Sequence, residues 1–424
     1  MRFLIALTIY RLLLPLLFLA AFPGWIVKML RRGGFGTHLG ERAAIYTRSL
    51  DFESCGAVHV HAVSVGESLL ALKLIREWLR REPDRRFVLA TGTATGHAVA
   101  TSAGIPGLRV TYSPLDFRWM VRRYLSRFEP SQIVLIEGEV WPHLLLAAGI
   151  RNIPVRLVNA RMSPRSARRF RKFSAWLRPI YGLLDLVAIQ ETEDAGIWET
   201  LGIDGKKIHV TGSLKFDPGS GDRPARRPDF QHMLDAFGKN RPVILAASTF
   251  PGEEILMAEA IHTANPDALA VIVPRHAERR LEVKTDLEAA GFPVQLRSSP
   301  ELAATNDRRH VFVIDSTGEL RDWTAHADVV IIGKSFLSTG GQNPCEAILA
   351  GKPLICGPHM ENFQPLASRL VETKSCLIAR DSCELSQAIL TALAPEKSQA
   401  MTRRATALLT RHDGATHRIL ELLS

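Results

Sequence analysis

Hydrophobic positions along this chain follow two regimes. From residue 58 onward, short runs rich in Val and Ile alternate with stretches of helical period. VHVHAV (58–63), RFVLAT (86–91), SQIVLIEG (131–138), IPVRLVNA (153–160) and LVAIQ (186–190) read as buried strands, separated by amphipathic helices such as 68–82. The alternation breaks over 216–241, where FDPGSGDRPARRPDF is rich in Pro, Gly and Asp and carries no apolar period. It restarts with PVILAAST (242–249), ALAVIVPR (268–275), VFVID (311–315), DVVIIG (328–333) and KPLICG (352–357). Strand and helix alternation of this kind predicts α/β units with parallel, doubly wound sheets. The expected organisation is a domain at 33–215, a linker at 216–241 and a second domain at 242–424, with a cleft between the two. Ligands in such sheets sit beyond the carboxyl ends of the strands, so chemistry is sought just after each strand.

The first thirty residues obey the other regime. FLIALTIYRLLLPLLFLAAFPGWIVKML (3–30) is mostly apolar, interrupted by Arg11, Pro15 and Pro23 and closed by Arg31 and Arg32. A spanning helix needs roughly 20 apolar residues. Residues 1–32 therefore read as a membrane anchor, single-pass or peripheral, and in the spanning form Arg11 snorkels to the near interface. A cleaved signal peptide is the competing reading, but no small-x-small site precedes the basic cluster. Lys28, Arg31, Arg32 and Arg42 place the rest of the chain in the cytoplasm, on the inner membrane's inner face.

Composition narrows the partners. The 424 residues suit two or three domains at about 150 residues each, and 46% apolar with 23% charged residues is ordinary for folded protein. A formal charge of +10 favours anionic partners: phosphate-bearing small molecules, nucleic acid or an acidic membrane surface. No nucleic-acid motif accompanies the charge. Cys55, Cys345, Cys356, Cys376 and Cys383 form no CxxC pair and no metal-ligand cluster, which fits a reduced body.

Several motifs follow predicted strands. In HAVSVGESLLALKL, Ser64 and Glu67 have the S-x-x-E spacing of a capping box, and a carboxylate at a strand-to-helix corner also stands where a general base is needed. In LIEGEVWP, Glu137 and Glu139 point to one side of an extended segment that Trp141 and Pro142 end; a solvated loop is the plain alternative. Residues 151–178 hold nine basic side chains and no acidic one, with Phe170, Phe173, Trp176 and Leu177 interleaved, as on a basic amphipathic helix. Such a face is either solvated or lies on an anionic membrane or a phosphorylated lipid. IVPRHAERR puts Pro274, Arg275 and His276 just past a strand, where a guanidinium can hold a phosphate. In GGQNPCEAILAGKPLICG, Gly340 and Gly341 form a turn, Asn343 is a good N-cap, Pro344 a favoured first helical residue, and Glu346 stands third. That helix start is a candidate anion site, although a plain capped helix explains the same residues.

Taken together, these segments resemble the 3-deoxy-D-manno-octulosonic acid (Kdo) transferases of lipid A assembly. The similarity covers nearly the whole chain and rests on HAVSVGES, EGEVWP, VNARMSPRS, TGSLKFD, AASTFPGEE, VPRHAERR and GGQNPCEAILAGKPLICGPHMENF, in that order. It implies a GT-B fold, two Rossmann-like domains facing a cleft, an acceptor domain followed by a donor domain. It also implies CMP-Kdo as donor substrate, an inverting transfer onto a lipid A precursor, and no cofactor or metal. By the same resemblance Glu67 is the general base, with Glu137 and Lys215 assisting. Donor contacts fall on Pro274 and Arg275, on Thr317, Gly318 and Glu319, and on Asn343, Pro344, Cys345 and Glu346. Three positions depart from the family's pattern: Phe250 where His is usual, Lys334 in place of the second glycine of a pair, and Gln342 in place of His. The rivals are a nucleotide-sugar epimerase, which shares two doubly wound domains, and a membrane-tethered binding module whose acids are structural.

Overall fold

The Val and Ile runs pair into two parallel sheets because both of their faces are apolar, and only a sheet covered on both sides buries such strands. This computed structural model describes residues 2–31, 38–46, 56–217, 224–299 and 307–424. The chain divides into two compact units, Met1–Gly219 with Gly414–Ser424, and Ser220–Asp413.

The first unit holds β1 (Val58–Ala62), β2 (Phe87–Thr91), β3 (Leu108–Tyr112), β4 (Gln132–Ile136), β5 (Val155–Ala160), β6 (Leu186–Ile189) and β7 (Ile208–Val210). They lie in the order β3-β2-β1-β4-β5-β6-β7. Val58 stands opposite both Phe87 and Gln132, so the winding reverses at β1 and β4. Alternate residues serve opposite faces. Val88, Ala90, Ile133, Leu135 and Leu157 join one core, and Val58, Val60, Leu89, Val134 and Ile136 join the other.

The second unit holds β8 (Val243–Thr249), β9 (Leu269–Pro274), β10 (Val294–Leu296), β11 (Val311–Val313), β12 (Val329–Ile332), β13 (Leu354–Cys356) and β14 (Leu377–Ile378). Their order is β10-β11-β9-β8-β12-β13-β14, which reverses at β8 and β12. In each unit the topological switch point, the preferred place for a ligand, is thus flanked by two identifiable loops.

Three sequence expectations change. The last helix, Ala415–Leu423, belongs to the first unit although the second domain was expected to run to 424. Ile419, Leu420 and Leu423 complete the core around Trp78 and Leu72, and burial of that apolar face outweighs proximity along the chain. Part of the expected linker is ordered in the second unit: Pro228–Asp235 is a helix, and Phe230 stacks on Trp323 at 3.9 Å. Its few apolar residues are too sparse to show a period. The basic stretch 151–178 is not one helix but β5 followed by Pro164–Lys172 and Ser174–Tyr181. Arg156, half-buried, donates to Gln132 Oε1 at 2.8 Å, and Arg178, exposed, donates to the Thr200 carbonyl at 2.9 Å, so both are tied to the fold. Arg165, Arg168, Arg169, Arg171 and Lys172 remain exposed.

Asp217 fastens the returning helix. Its carboxylate accepts the Gly414 amide at 3.1 Å and the Thr416 amide at 2.7 Å, acting as a cap supplied from distant sequence. Asp217→Ala leaves those buried amides without an acceptor. It is expected to lower unfolding free energy by about 1–3 kcal/mol in a denaturant titration.

Candidate active site

In the first unit the loops after β1, β4, β5 and β7 bring together three acids and two bases. Glu67 lies in the first turn of the helix Val65–Arg81. The Ser64 hydroxyl accepts its amide at 3.2 Å, so the predicted cap is present. Its carboxylate in turn accepts from the Val63 amide and the Ser64 hydroxyl, both at 2.8 Å. One oxygen on each contact aims the group without burying it, and Glu67 stays half-buried.

Glu137 follows β4 with φ of 64°, a left-handed conformation that is uncommon outside glycine. Arg161, which follows β5, holds it: Arg161 Nε donates to Glu137 Oε2 at 2.9 Å and the Arg161 amide to the Glu137 carbonyl at 3.3 Å. Burial raises the pKa of Glu137, the Arg161 charge and hydrogen bond oppose this, Glu67 adds to it, and Lys215 opposes it again. Glu139 is raised from 4.5 to about 6, first by burial and then by the charge of Glu67. Glu67, Glu137 and Glu139 therefore feel one another, with Lys215 and Arg161 as counter-charges.

Lys215 sits in a turn anchored on all sides. Lys73 Nζ donates to the Leu214 and Asp217 carbonyls at 2.9 and 2.5 Å, and Asn159 Oδ1 accepts the Leu214 amide at 2.9 Å. Lys73 and Asn159 stand inside HAVSVGESLLALKL and VNARMSPRS, yet sequence reasoning gave neither a role. On the far side of the sheet, His59 and His61 are wholly buried, and burial pushes both below the usual histidine range, His61 to about 4. They are neutral core residues.

In the second unit the loops after β8 and β12 flank the switch point. Glu253, fully buried, accepts the amides of Phe250 at 3.0 Å, Lys334 at 2.6 Å and Phe336 at 3.1 Å. The two loops touch so closely that a Cβ on Gly333 would meet the Ser248 carbonyl oxygen at 2.4 Å. Neighbouring Glu254 accepts from Thr249 and Arg279, both at 2.9 Å. Both glutamates stand in the AASTFPGEE string, yet the sequence gives them no evident role; acids in a first helical turn read as dipole partners, which hides their reach.

Pro274 ends β9 buried, and Arg275 is exposed, its amide on the Thr249 carbonyl at 3.0 Å. The helix after the glycine turn begins at Cys345, one residue later than expected, with Pro344 before it; Asn343 Oδ1 still accepts the Cys345 amide at 3.1 Å. Burial raises the pKa of Glu346 against the charges of Arg321 and Arg275, and its Oε2 is buried with no hydrogen-bond partner. Arg275 and Glu346 are thus joined by Arg321, which sequence reasoning missed. Thr317 and Gly318 are exposed after β11, whereas the Glu319 carboxylate is engaged by Arg297 at 2.8 Å. Among the described residues no group of three or more His, Cys, Asp or Glu is arranged to hold a metal ion.

The raised Glu139 has a measurable consequence. A carboxyl held protonated by the fold contributes stability that is complete below 4.5 and is lost as pH rises through about 6. Glu139→Gln removes that loss. Thermal unfolding of the variant should match wild type below pH 4.5 and exceed it above pH 6.

A family model described as 3-deoxy-D-manno-octulosonic-acid transferase (kdotransferase) matches residues 37–218. The 3-deoxy-D-manno-octulosonic acid transferase of Bordetella pertussis is 37% identical over 380 residues, covering 86% of each chain. That of Haemophilus influenzae is 31% identical over 371 residues, again 86% of each. Among solved structures, a putative UDP-N-acetylglucosamine 2-epimerase from Listeria monocytogenes aligns with a TM-score of 0.54 at 14% identity, covering 87% of this chain and 96% of that one. At that identity the likeness shows the shared fold alone.

Proposed function

Because the chain belongs to the 3-deoxy-D-manno-octulosonic acid transferases, we propose that it moves Kdo from CMP-Kdo, with inversion, onto a glucosamine hydroxyl of a lipid A precursor at the cytoplasmic face of the inner membrane. The observation that carries this reading is the cluster in the first unit: one carboxylate aimed by single hydrogen bonds, two whose pKa values are raised, and two cations. Carboxylates in unlike environments divide acid, base and electrostatic roles.

In this reaction the acceptor oxygen forms a bond to the anomeric carbon as the bond from that carbon to the phosphate oxygen breaks. CMP leaves with the electron pair, and the acceptor proton passes to Glu67. Glu137, clamped by Arg161, and Lys215 adjust the field around the transferred sugar. On the donor side, Arg275 and Arg321 suit the phosphate, and the unpartnered Glu346 oxygen suits a ribose hydroxyl. The short helix at Cys345 and the turn at Thr317–Glu319 complete the donor contacts. Attachment to an anionic membrane is supported by the apolar helix Arg2–Arg31, whose window Leu4–Gly24 is long and apolar enough to cross a bilayer, and by the exposed arginines of Pro164–Lys172.

The direct test mixes purified protein with CMP-Kdo and a lipid A precursor and follows CMP release and product mass. An epimerase or a binding module yields no acceptor-dependent CMP. Glu67→Gln keeps the cap's shape but removes the base, and general-base help is worth about 100- to 10,000-fold. The variant should fold, bind CMP-Kdo and turn over slower by that factor; turnover above roughly a tenth of wild type assigns Glu67 to the cap alone. Glu346→Ala should leave kcat within a few-fold and raise the KM for CMP-Kdo roughly ten- to hundred-fold, as loss of a hydrogen bond to a charged group does.

A further inference from the structure

The helix Arg2–Arg31 is fastened to the first unit along one face. Leu7 is buried, and Tyr10, Leu14 and Phe18 are half-buried, a stripe at three- to four-residue spacing. Tyr10 Oη donates to Asp116 Oδ2 at 2.8 Å, and Arg11 Nε donates to His143 Nε2 at 3.4 Å. Arg11, expected to snorkel to a lipid interface, is thus bound to the body. Phe18 meets the Phe117 ring edge-on at 5.8 Å, and the helix also packs on Ser174–Tyr181. The receiving groups are built in. Asp116 and His143 are 6% and 5% exposed, and Asp116 also accepts the amides of His143 and Leu144 at 2.9 and 3.0 Å.

The opposite face of the helix is apolar and uncovered: Leu12, Leu16 and Leu19 are 67%, 61% and 64% exposed, with Ile5 and Ile9 on the same side. A spanning helix needs its surface in lipid across about 30 Å of hydrocarbon. Here Leu7 to Phe18, about 16 Å of helix, is fixed to a folded body carrying a buried carboxylate. From Phe18 to the end of the apolar window at Gly24 only about 9 Å remains. A helix held this way has too little free length to cross.

We infer that this helix lies in the plane of the cytoplasmic leaflet, its Leu12, Leu16 and Leu19 face sunk into an anionic phospholipid surface while its other face stays docked on the first unit. The choice of a lipid occupant rests on charge and amphipathic neighbours. The helix Ser174–Tyr181, which the anchor touches, presents Trp176 at 40% exposure, and it directly follows the helix that carries exposed Arg165, Arg168, Arg169, Arg171 and Lys172. Tryptophan and cations beside an apolar face suit the head-group layer. The inference rests on the membrane attachment proposed above and adds its geometry.

The test uses the full chain with an N-terminal epitope tag in inner-membrane vesicles whose cytoplasmic face is outward. External protease should remove the tag, because the N-terminus stays on the side of the catalytic body. In vesicles of phosphatidylethanolamine and phosphatidylglycerol, a fluorophore on single cysteines replacing Ile5, Leu12 or Leu19, with Cys55 and Cys383 changed to Ser, should be quenched most by lipids labelled near the head group, and equally at the three positions. A protected tag, or quenching that deepens to the bilayer centre at one position, overturns the in-plane geometry while leaving attachment intact. Protein recovered free of vesicles overturns both. CMP release with detergent-dispersed acceptor, measured on the same preparation, reports the transferase reading separately.

Discussion

A parallel strand leaves its last amides and carbonyls without ladder partners at its carboxyl end, and the loop beyond it must satisfy them. The loops and helix starts beyond the strands carry unpaired amides of their own, and in this protein buried acids and one amide side chain accept them. Glu253 joins the loop after β8 to the loop after β12 through three backbone amides. Asp116 holds the amides of His143 and Leu144, Asn159 that of Leu214, and Asp315 that of Ser298. Hydrogen bonds to a charged acceptor are worth about 1.5–3 kcal/mol each, and breaking one strands a buried charge. Loops from different strands are therefore set relative to one another within each unit before any ligand arrives. Preorganised groups of this kind stabilise a transition state without being rearranged at the moment of reaction.

The same constraint explains why the three acids of the first unit differ. Glu67 is aimed by amide and hydroxyl donors at a helix start and remains half-open to solvent. Glu137 occupies a left-handed conformation that costs about 1–2 kcal/mol in a non-glycine residue, and Arg161 grips both its carbonyl and its carboxylate. Glu139 has no such clamp, and its pKa climbs furthest. One helix start, one strained corner and one burial that a hydrogen bond with Trp141 only partly offsets turn three identical side chains into three different groups.

Two of the departures from the family's pattern are a single interaction. Lys334 adopts φ of 56°, a conformation that favours glycine, and its ammonium lies 5.0 Å from the ring centroid of Phe250. A cation over an aromatic face gains roughly 0.5–2 kcal/mol, comparable with the cost of the left-handed backbone. Glu253 holds the amides of both residues, so the pair is presented from one carboxylate. Changing one partner without the other exposes the uncompensated cost.

The sequence by itself determined the fold class, the interior strands and the motifs at their carboxyl ends, because strands covered on both faces must be continuously apolar and are legible as such. The strands it did not reveal, β3, β7, β10 and β14, are the outermost in their sheets and only partly buried, so no apolar run marks them. Glu67, Glu137 and Lys215 were legible as motif residues, but their mutual electrostatic coupling was not, since it joins loops some 70 to 150 residues apart. The return of Ala415–Leu423 to the first unit and the docking of the N-terminal helix through Tyr10 and Asp116 were decided only by tertiary structure. Hydropathy records how much apolar surface a helix carries. Which side of it meets protein and which stays uncovered depends on the partner surface, and the helix's own sequence does not contain that surface.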